Sequence, residues 1–388
     1  MEEAASLKRW RSRVRAVMAT LPAGADDAYP LDAVRRLLAL GVQRVPFDAA
    51  LGGEGLGVRG LAAVLEEMAA VDGSLAAIVM GMYSANALLA QCATAQQREA
   101  ALAPLLAGDG LAAVAVTEPG AGTDVAAVRT TCGQLPGGTW RLDGEKAFIS
   151  NTGHDLWRLT IVLARGPAAD RHTAFLVPTA APGLTVERSR ATIGWRRVGV
   201  HDLRLSGVVL PDESRLGAVG EGLRLALTAF DRGRVAVAAL ASGLCRGAWQ
   251  DADAYARQRH TFGEPLIAHQ AVADEVVAVW RLYGRAHLAT TQAAEAADRG
   301  LPLGPWAALA KWEATDAAVQ AARLGAQVLG GRGLLQGTKA AARWGDAKTL
   351  EVVEGTTEAL ALVLRRRLQK EGLPAASGDE GGTTDADS

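Results

Sequence analysis

Cysteine is scarce in this sequence, and its distribution excludes a disulfide framework. Only three cysteines occur in 388 residues, Cys92, Cys132 and Cys245. Their number is odd, they lie far apart and they form no CxxC pair, which is typical of a protein from a reducing compartment. We therefore interpret all three as small core residues.

Recognisable metal and nucleophile motifs are also missing. The six histidines form no HxxxH or HxxE pattern, so we expect no metal site. No GxSxG elbow supports serine hydrolysis. Residues 55–60 do match the GxGxxG dinucleotide fingerprint, but no convincing strand precedes them and no βαβ unit surrounds them. We interpret these glycines as a loop between helices.

A strong net charge and a long apolar run are absent as well. The formal net charge is -1, so no overall field attracts nucleic acid or an anionic membrane. The first ten residues lack the apolar core of a signal peptide. The run from Leu75 to Ala90 contains Ser84 and Asn86 and is too short to span a bilayer, so it predicts a buried helix. We expect a cytoplasmic protein with no membrane span and no nucleic-acid partner.

Apolar residues make up 49% of the chain, and their spacing changes twice along it. Spacings of three and four at 31–40 and 61–71 predict helices in the first part. Between 111 and 217, short alternating runs separated by turns predict strands. From 221 to 368, long alanine-rich helical stretches return. The predicted strands include 139–142, 160–164, 173–177 and 203–210, and the predicted breaks in the later helices lie near 263–265, 300–305 and 330–333.

The order of helices, strands and helices argues against a doubly wound nucleotide-binding sheet, in which strands and helices alternate. It predicts an α+β protein with an N-terminal helical domain (1–110), a middle antiparallel β-barrel or sandwich (111–220) and a C-terminal helical bundle (221–370). The remaining residues, 371–388, are mostly Gly, Asp, Thr and Ser without periodicity, and we expect a disordered tail.

A glycine-rich segment, VTEPGAGTD at 116–124, precedes the first strand-like stretch. Its glycines allow close approach of the backbone, Thr117 and Thr123 offer hydroxyls, and exposed N–H groups can meet negative charge. These properties suit a flat or anionic cofactor, although a simple β-turn explains them equally well.

The same segment strongly resembles the TEPGAGSD signature of acyl-CoA dehydrogenases, with Thr123 in place of serine. Further segments resemble other motifs of this family in the right order, which chance could hardly produce. They are VP through GG at 45–53, DGEKAFISN at 143–151, GWR at 194–196, LRLSGVVLP at 203–211, the stretch from Arg257 to Gln270, QVLGG at 327–331, DAK at 346–348 and EGTTE at 354–358.

The resemblance implies the same three-part fold, with FAD bound between the β-domain and the helical bundle in a homodimer or homotetramer. It implies acyl-CoA as the substrate and an electron-transfer flavoprotein as the electron acceptor. By the matching motifs, one group of residues lines the flavin and another holds the distant half of FAD, partly across a subunit boundary. The first group comprises Thr117, Gly122, Thr123, Phe148 and Ser150; the second comprises Arg259, Phe262, Gln270, Gln327, Gly330 and Gly331; Thr356 and Glu358 complete the site.

Glu354 is the expected catalytic base. A saturated thioester has a weakly acidic α-proton, and its removal needs a positioned base in a dry pocket. Glu354 follows apolar residues and precedes Gly355, which suits a carboxylate at an irregular break. An exposed or ion-paired helix-end residue is the ordinary interpretation of such a glutamate. Its place in the EGT motif favours the catalytic one.

The resemblance also places Thr123, Asp231, Arg234 and Gly355 beside the substrate. Asp231 and Arg234 are equally compatible with a surface salt bridge within one helical turn. Three positions depart from the family pattern and leave substrate choice and flavin affinity open. Gly345 replaces an arginine, Val353 replaces an aromatic residue, and Arg332 follows the glycine pair where asparagine or an aromatic residue is usual.

Three alternative functions remain at this point. The same dehydrogenation on an acyl-carrier-protein thioester would use the same pantetheine arm and the same core motifs. An oxygen-using flavin monooxygenase or oxidase on this fold is disfavoured by Glu354, because family members of that kind usually lack this glutamate. A non-catalytic protein that retains the fold would lack flavin.

Overall fold

Helices fill the first part of the chain, as the apolar spacing predicts. The structure is a computed structural model and describes residues 2–21, 27–166 and 171–374. The helix predicted at 31–40 is confirmed: its apolar face is buried and Gly41, at φ 94°, ends it with a left-handed cap. The helices of this part are α1 (Glu2–Ala19), α2 (Leu31–Leu40), α3 (Gly57–Ala69), α4 (Gly73–Cys92), α5 (Ala95–Gln97) and α6 (Ala103–Ala107), with a π-helical turn at Arg98–Leu102 between the last two.

The central helix of this part, α4, is the predicted buried helix. By length and composition it could cross a membrane, but 72% of its most apolar window is buried inside the protein. The GxGxxG residues lie where α3 begins, at Gly57, after a short 3₁₀ turn and not after a strand. This confirms that they join helical elements.

The middle of the chain forms one eight-stranded sheet that is mixed, not purely antiparallel as predicted. The strands are β1 (Leu111–Ala115), β2 (Thr131–Gln134), β3 (Trp140–Ile149), β4 (Trp157–Arg165), β5 (His172–Pro178), β6 (Leu184–Ser189), β7 (His201–Leu210) and β8 (Arg215–Leu216). Their order in the sheet is β6-β7-β3-β2-β4-β5-β8, and β1 pairs with β4 in parallel. A parallel pair needs a long connection, which the intervening β2 and β3 supply.

The sheet has its own apolar core, separate from the main helical core. Side chains from six of its strands meet there, including Trp140 and Phe175, whose rings are 5.4 Å apart. Cys132 belongs to this core and Cys245 to the helical one, as predicted, whereas Cys92 is only partly buried. Alternating burial along β7 follows the period of a half-buried strand.

Long helices return after the sheet and form the C-terminal bundle. Their alanine faces are buried against each other, and glycines such as Gly243 and Gly325 allow close backbone approach. The breaks predicted near 263 and 330 are a hairpin of β9 (His260–Thr261) and β10 (Glu264–Pro265) and a 3₁₀ segment at Gly330–Leu334. The bundle helices are α7 (Gly222–Gln258), α8 (Gln270–Asp298), α9 (Leu303–Val328), α10 (Lys339–Val352) and α11 (Thr357–Glu371). The predicted tail lies, from residue 375 onward, outside the described residues.

Candidate active site

Glu354 occupies the short turn between α10 and α11. Its φ of 54° and that of Gly355, 97°, are left-handed, which is costly for a non-glycine residue. The side chain turns towards α7, where Gly233 makes room for it: a Cβ on Gly233 would lie 2.9 Å from the carboxyl carbon of Glu354. The turn therefore holds this carboxylate against one helix face in a fixed orientation.

The electrostatic environment of Glu354 is that of a buried acid. Burial raises its pKa to about 7, against the opposing effect of the nearby Arg234 and Lys311 cations. Its Oε2 atom is buried and has no hydrogen-bond partner among the described residues. Leaving a buried oxygen without a hydrogen-bond partner costs free energy. The Glu354 Oε2 atom can therefore accept a hydrogen bond or a proton from a bound molecule.

Two cations hold the backbone of this turn. Arg234 Nε donates to the carbonyl oxygen of Glu354 at 3.2 Å, and Lys311 Nζ donates to the carbonyls of Glu351 and Gly355 at 2.9 and 2.7 Å. The sequence reasoning missed Lys311. Its only signal was a lone lysine within an alanine-rich helix, a pattern that usually indicates an exposed residue.

Asp231 and Arg234 form the ion pair that their spacing allows, but it is not a surface pair. Arg234 Nη1 lies 2.7 Å from Asp231 Oδ1, and Arg234 is 8% exposed. Burial raises the pKa of Asp231, although Arg234 opposes that effect. The pair leaves the Arg234 Nε–H free to donate to the Glu354 carbonyl, so the ion pair lies directly beside the Glu354 turn.

The glycine-rich loop that contains Thr117 and Thr123 is held from beneath by a buried ion pair. Lys146 Nζ lies 2.8 Å from Glu118 Oε1 and is fully buried. The Glu118 carboxylate also accepts from the backbone N–H groups of Arg129 and Thr130, at 2.6 and 2.9 Å. These contacts fix the position of the loop, and its residues Gly122 and Thr123 are exposed.

Phe148 and Ser150 lie next to this loop, because Ala147 N donates to Thr117 O at 2.9 Å. Phe148 is 55% exposed and has a φ of 59°. The Arg190 guanidinium lies 4.2 Å from its ring centroid, and Asp202 binds both that guanidinium and the Phe148 N–H. The sequence reasoning did not identify Arg190 and Asp202.

Packing brings the loop and the Glu354 turn to the same part of α7. Val116 and Ala121 of the loop pack with Ala226 and Phe230 near the start of α7. Phe230 lies one helical turn before Arg234, which binds the Glu354 backbone. Thr356 caps α11 by accepting from Ala359 N at 3.3 Å, and Glu358 is exposed in its first turn.

The remaining predicted cofactor residues lie far from Glu354 in the same chain. All are exposed, at the hairpin after α7, the start of α8 and the end of α9. Along α7 alone, Gly233 and Arg259 are about 40 Å apart at about 1.5 Å per residue. We define this group as the distal cluster; it comprises Arg259, Phe262, Gln270, Gln327, Gly330 and Gly331.

Backbone strain concentrates in the predicted motifs. Among the described residues, the non-glycine residues with positive φ are Phe148, Asn151, Trp195, Phe262 and Glu354. Each lies in one of the segments that resemble a family motif, at 143–151, 194–196, 257–270 or 354–358. Such conformations persist only where the surrounding structure enforces them, and they cluster at functional sites.

The departures from the family pattern have structural explanations. Gly345 touches the backbone of Gly194: a Cβ on Gly345 would lie 2.1 Å from the Ile193 carbonyl oxygen. The Arg332 guanidinium lies 5.6 Å from the Tyr255 ring centroid, so it makes a cation–π contact near the C-terminal end of α7. Val353 packs partly buried against the main helical core.

Comparisons with known proteins agree over nearly the whole chain. Family models for the N-terminal, middle and C-terminal domains of acyl-CoA dehydrogenase match residues 3–109, 113–208 and 220–369. The chain is 31% identical to the mitochondrial short-chain specific acyl-CoA dehydrogenase of Bos taurus, over 89% of this chain and 84% of that protein.

Solved structures give the same result. Butyryl-CoA dehydrogenase from Megasphaera elsdenii superposes with a TM-score of 0.90 at 29% identity, covering 94% of this chain and 98% of the other. A protein described as FkbI, for biosynthesis of the methoxymalonyl extender unit of a polyketide, superposes with a TM-score of 0.83 at 29% identity, covering 94% and 99%.

Proposed function

The chain belongs to the acyl-CoA dehydrogenase family of FAD-dependent oxidoreductases, and we propose that it desaturates a short-chain acyl-CoA at the α,β position with Glu354 as the base. The observation that carries this proposal is the Glu354 carboxylate, whose buried Oε2 has no hydrogen-bond partner among the described residues, in a turn held by two cations. The short-chain substrate is suggested by the names of the relatives.

The residues of this chain fit FAD at both proposed positions. Near Glu354, Gly120 and Gly122 have open space above them, so N–H groups can approach a phosphate. Phe148 offers an exposed ring face beside them. In the distal cluster, Gly330 and Gly331 are equally open. We propose that the loop with Phe148, Ser150, Thr356 and Glu358 binds the flavin half.

We propose that a second copy of the chain supplies the distal cluster, because its member Arg259 lies about 40 Å from Gly233 along α7 at about 1.5 Å per residue. Phe262 supports this arrangement: it is 96% exposed and held at a φ of 54°. Exposure of this apolar side chain to water and its left-handed backbone both cost free energy, and burial against another surface would offset that cost.

The chemistry assigned to the protein itself is proton removal and charge stabilisation. Glu354 takes the α-proton, and its own backbone N–H donates to the thioester oxygen as negative charge develops there. Burial strengthens both effects because water is excluded. Bound FAD would supply the hydride acceptor for the β-hydrogen. Arg234 keeps the Glu354 turn in place from the α7 side.

Anaerobic mixing tests this function directly. The purified flavoprotein would be mixed with saturated acyl-CoAs of increasing length while the oxidised flavin absorbance is followed. We expect rapid bleaching by butyryl-CoA or a neighbouring length. A protein that contains FAD but is bleached by no acyl-CoA would contradict the proposal.

The same experiment separates the carrier-protein alternative. Bleaching by an acyl-carrier-protein thioester, with none by the corresponding acyl-CoA, would keep the reaction and change the substrate. We further propose an electron-transfer flavoprotein as the acceptor, and reoxidation of the reduced protein by such a flavoprotein under anaerobic conditions would support it.

A further inference from the structure

Lys311 is a fully buried lysine on α9 that the reaction described above does not use. Its neighbours along the helix are mostly alanines, and its exposed fraction is 0%. Burial of a charged amine costs free energy unless it is paired or hydrogen-bonded. Here the compensation comes from two backbone carbonyls that flank Glu354, that of Glu351 at the end of α10 and that of Gly355 in the turn after it.

The two carbonyls are ones that need an external donor. Glu351 lies in the last turn of α10, where carbonyls have no intrahelical partner. Gly355 has a left-handed backbone conformation and lies in the turn between α10 and α11, outside any helix. Together with Arg234, which binds the carbonyl of Glu354 itself, Lys311 fixes the turn from a second side. The three bonds over-determine a backbone that is otherwise strained.

Charge is the second effect of Lys311. The charged groups that face Glu354 are Arg234 from α7 and Lys311 from α9, and both lower its pKa against the effect of burial. Glu354, Glu351 and Glu358 raise the pKa of Lys311 and Arg234 lowers it, but burial dominates and lowers it to about 8. The ammonium is therefore largely protonated near neutral pH, where Glu354 must be ionised to act as a base.

We propose that Lys311 is the positioning residue of Glu354: its ammonium holds the 351–355 segment through two carbonyls, and its positive charge favours the ionised form of the Glu354 carboxylate. This inference rests on the proposed role of Glu354 as the base. Lys311 itself touches neither substrate nor cofactor in this assignment.

Two substitutions separate the hydrogen bonds from the charge. Lys311→Met removes both, so the rate of flavin reduction should fall about tenfold to a hundredfold at every pH, because the base is misplaced. Its pH dependence should also move to higher pH. Lys311→Gln removes the charge but keeps an N–H donor on a slightly shorter side chain, so its rate should be low at pH 7 and approach the wild-type rate near pH 9.

Lys348→Gln is the matched control. Lys348 is exposed on α10, pairs with the Glu351 side chain and lies close in sequence to Glu354. Its charge is screened by water, so its loss should leave the pH dependence of flavin reduction unchanged. An equal shift in this variant would show that any nearby cation suffices, and the specific role of Lys311 would be rejected.

A second measurement is independent of turnover. The Glu354 carboxyl resonance of ¹³C-glutamate-labelled holoprotein, assigned by its loss in Glu354→Gln, would be titrated in the wild type and both Lys311 variants. An upward shift of the midpoint in both variants supports the inference, even if no thioester reduces the wild type and the proposed function fails. Unchanged midpoints in both variants overturn the inference, even if the wild type is an active dehydrogenase.

Discussion

At the scale of single residues, Glu354 combines two properties that oppose each other. A base must be ionised, yet burial favours the neutral form of a carboxyl. The structure keeps the balance near neutrality, since Arg234 and Lys311 offset part of the burial effect and the pKa is about 7. A lower pKa would weaken the base, and a higher one would leave it protonated in the cell.

The pH dependence of the reaction follows from this balance. The proposed base, Glu354, would act when deprotonated, so the rate constant of anaerobic flavin reduction should rise with pH through about 7 and level off above it. The rate should fall about tenfold for each unit below that midpoint. Stopped-flow measurement between pH 5.5 and 9 checks this, and a flat profile across the range would contradict the assignment.

The sequence predicted Glu354, Asp231 and Arg234 because they lie in recognisable motifs. It did not predict Lys311, Arg190 or Asp202. Their roles depend on contacts between segments far apart in the chain, such as Lys311 Nζ with Gly355 O. A lone charged residue in a helix has no local pattern that marks it as buried, so one sequence cannot reveal such a contact.

At the scale of elements, the close contact between α10 and the 193–195 loop places the β-domain against the bundle. Gly194 and Gly345 touch through their backbones, and Trp195 N donates to Asp346 Oδ1 at 2.6 Å. Only glycine at 345 allows this approach. The glycine at position 345, where the family has an arginine, therefore accompanies close backbone packing between α10 and the 193–195 loop. We call this contact the joint.

A substitution at this joint should be costly. Gly345→Ala would place a Cβ 2.1 Å from the Ile193 carbonyl oxygen, so the backbones must separate. We expect a loss of about 1–3 kcal/mol in the free energy of unfolding, measured by denaturant titration of the holoprotein.

Gly133→Ala is the control for the joint. It lies in β2 with open space around it, so the added methyl group meets no clash and should stabilise the protein by about 0.5–1 kcal/mol. Equal effects of the two substitutions would show that the Gly345 contact contributes nothing to stability.

Element positions were largely predictable, because local periodicity determines them. The helix at 31–40 and the four named strands were recovered to within a few residues, except that β3 continues to Ile149. The parallel pairing of β1 with β4 was not predicted, since strand order depends on long-range contacts that leave no local pattern.

At the scale of the whole molecule, the proposal that the Glu354 site and the distal cluster serve one FAD places the distal cluster of a second copy beside the Glu354 site. Exposed apolar residues on α8, including Val277, Trp280 and Leu288, are consistent with contact between copies. Cofactor binding and assembly should therefore depend on each other.

Replacement of Arg259, the cation of the distal cluster, tests whether FAD binding and assembly depend on each other. Arg259→Ala should release FAD more readily, because Arg259 would hold a phosphate of the partner's cofactor. We expect about a tenfold or greater loss of FAD affinity, measured by flavin content after gel filtration at decreasing protein concentration. A variant that retains full flavin at the lowest concentration would remove Arg259 from the cofactor site.

The most direct test of the account is single-turnover reduction of Glu354→Gln. Wild type and variant, each with bound FAD, would be mixed anaerobically at pH 8 with the acyl-CoA that reduces the wild type fastest. Because only the proton acceptor is lost, the variant should bind FAD and thioester normally, while its flavin is reduced at least about a thousandfold more slowly. Reduction of the variant at the wild-type rate would mean that another group removes the α-proton.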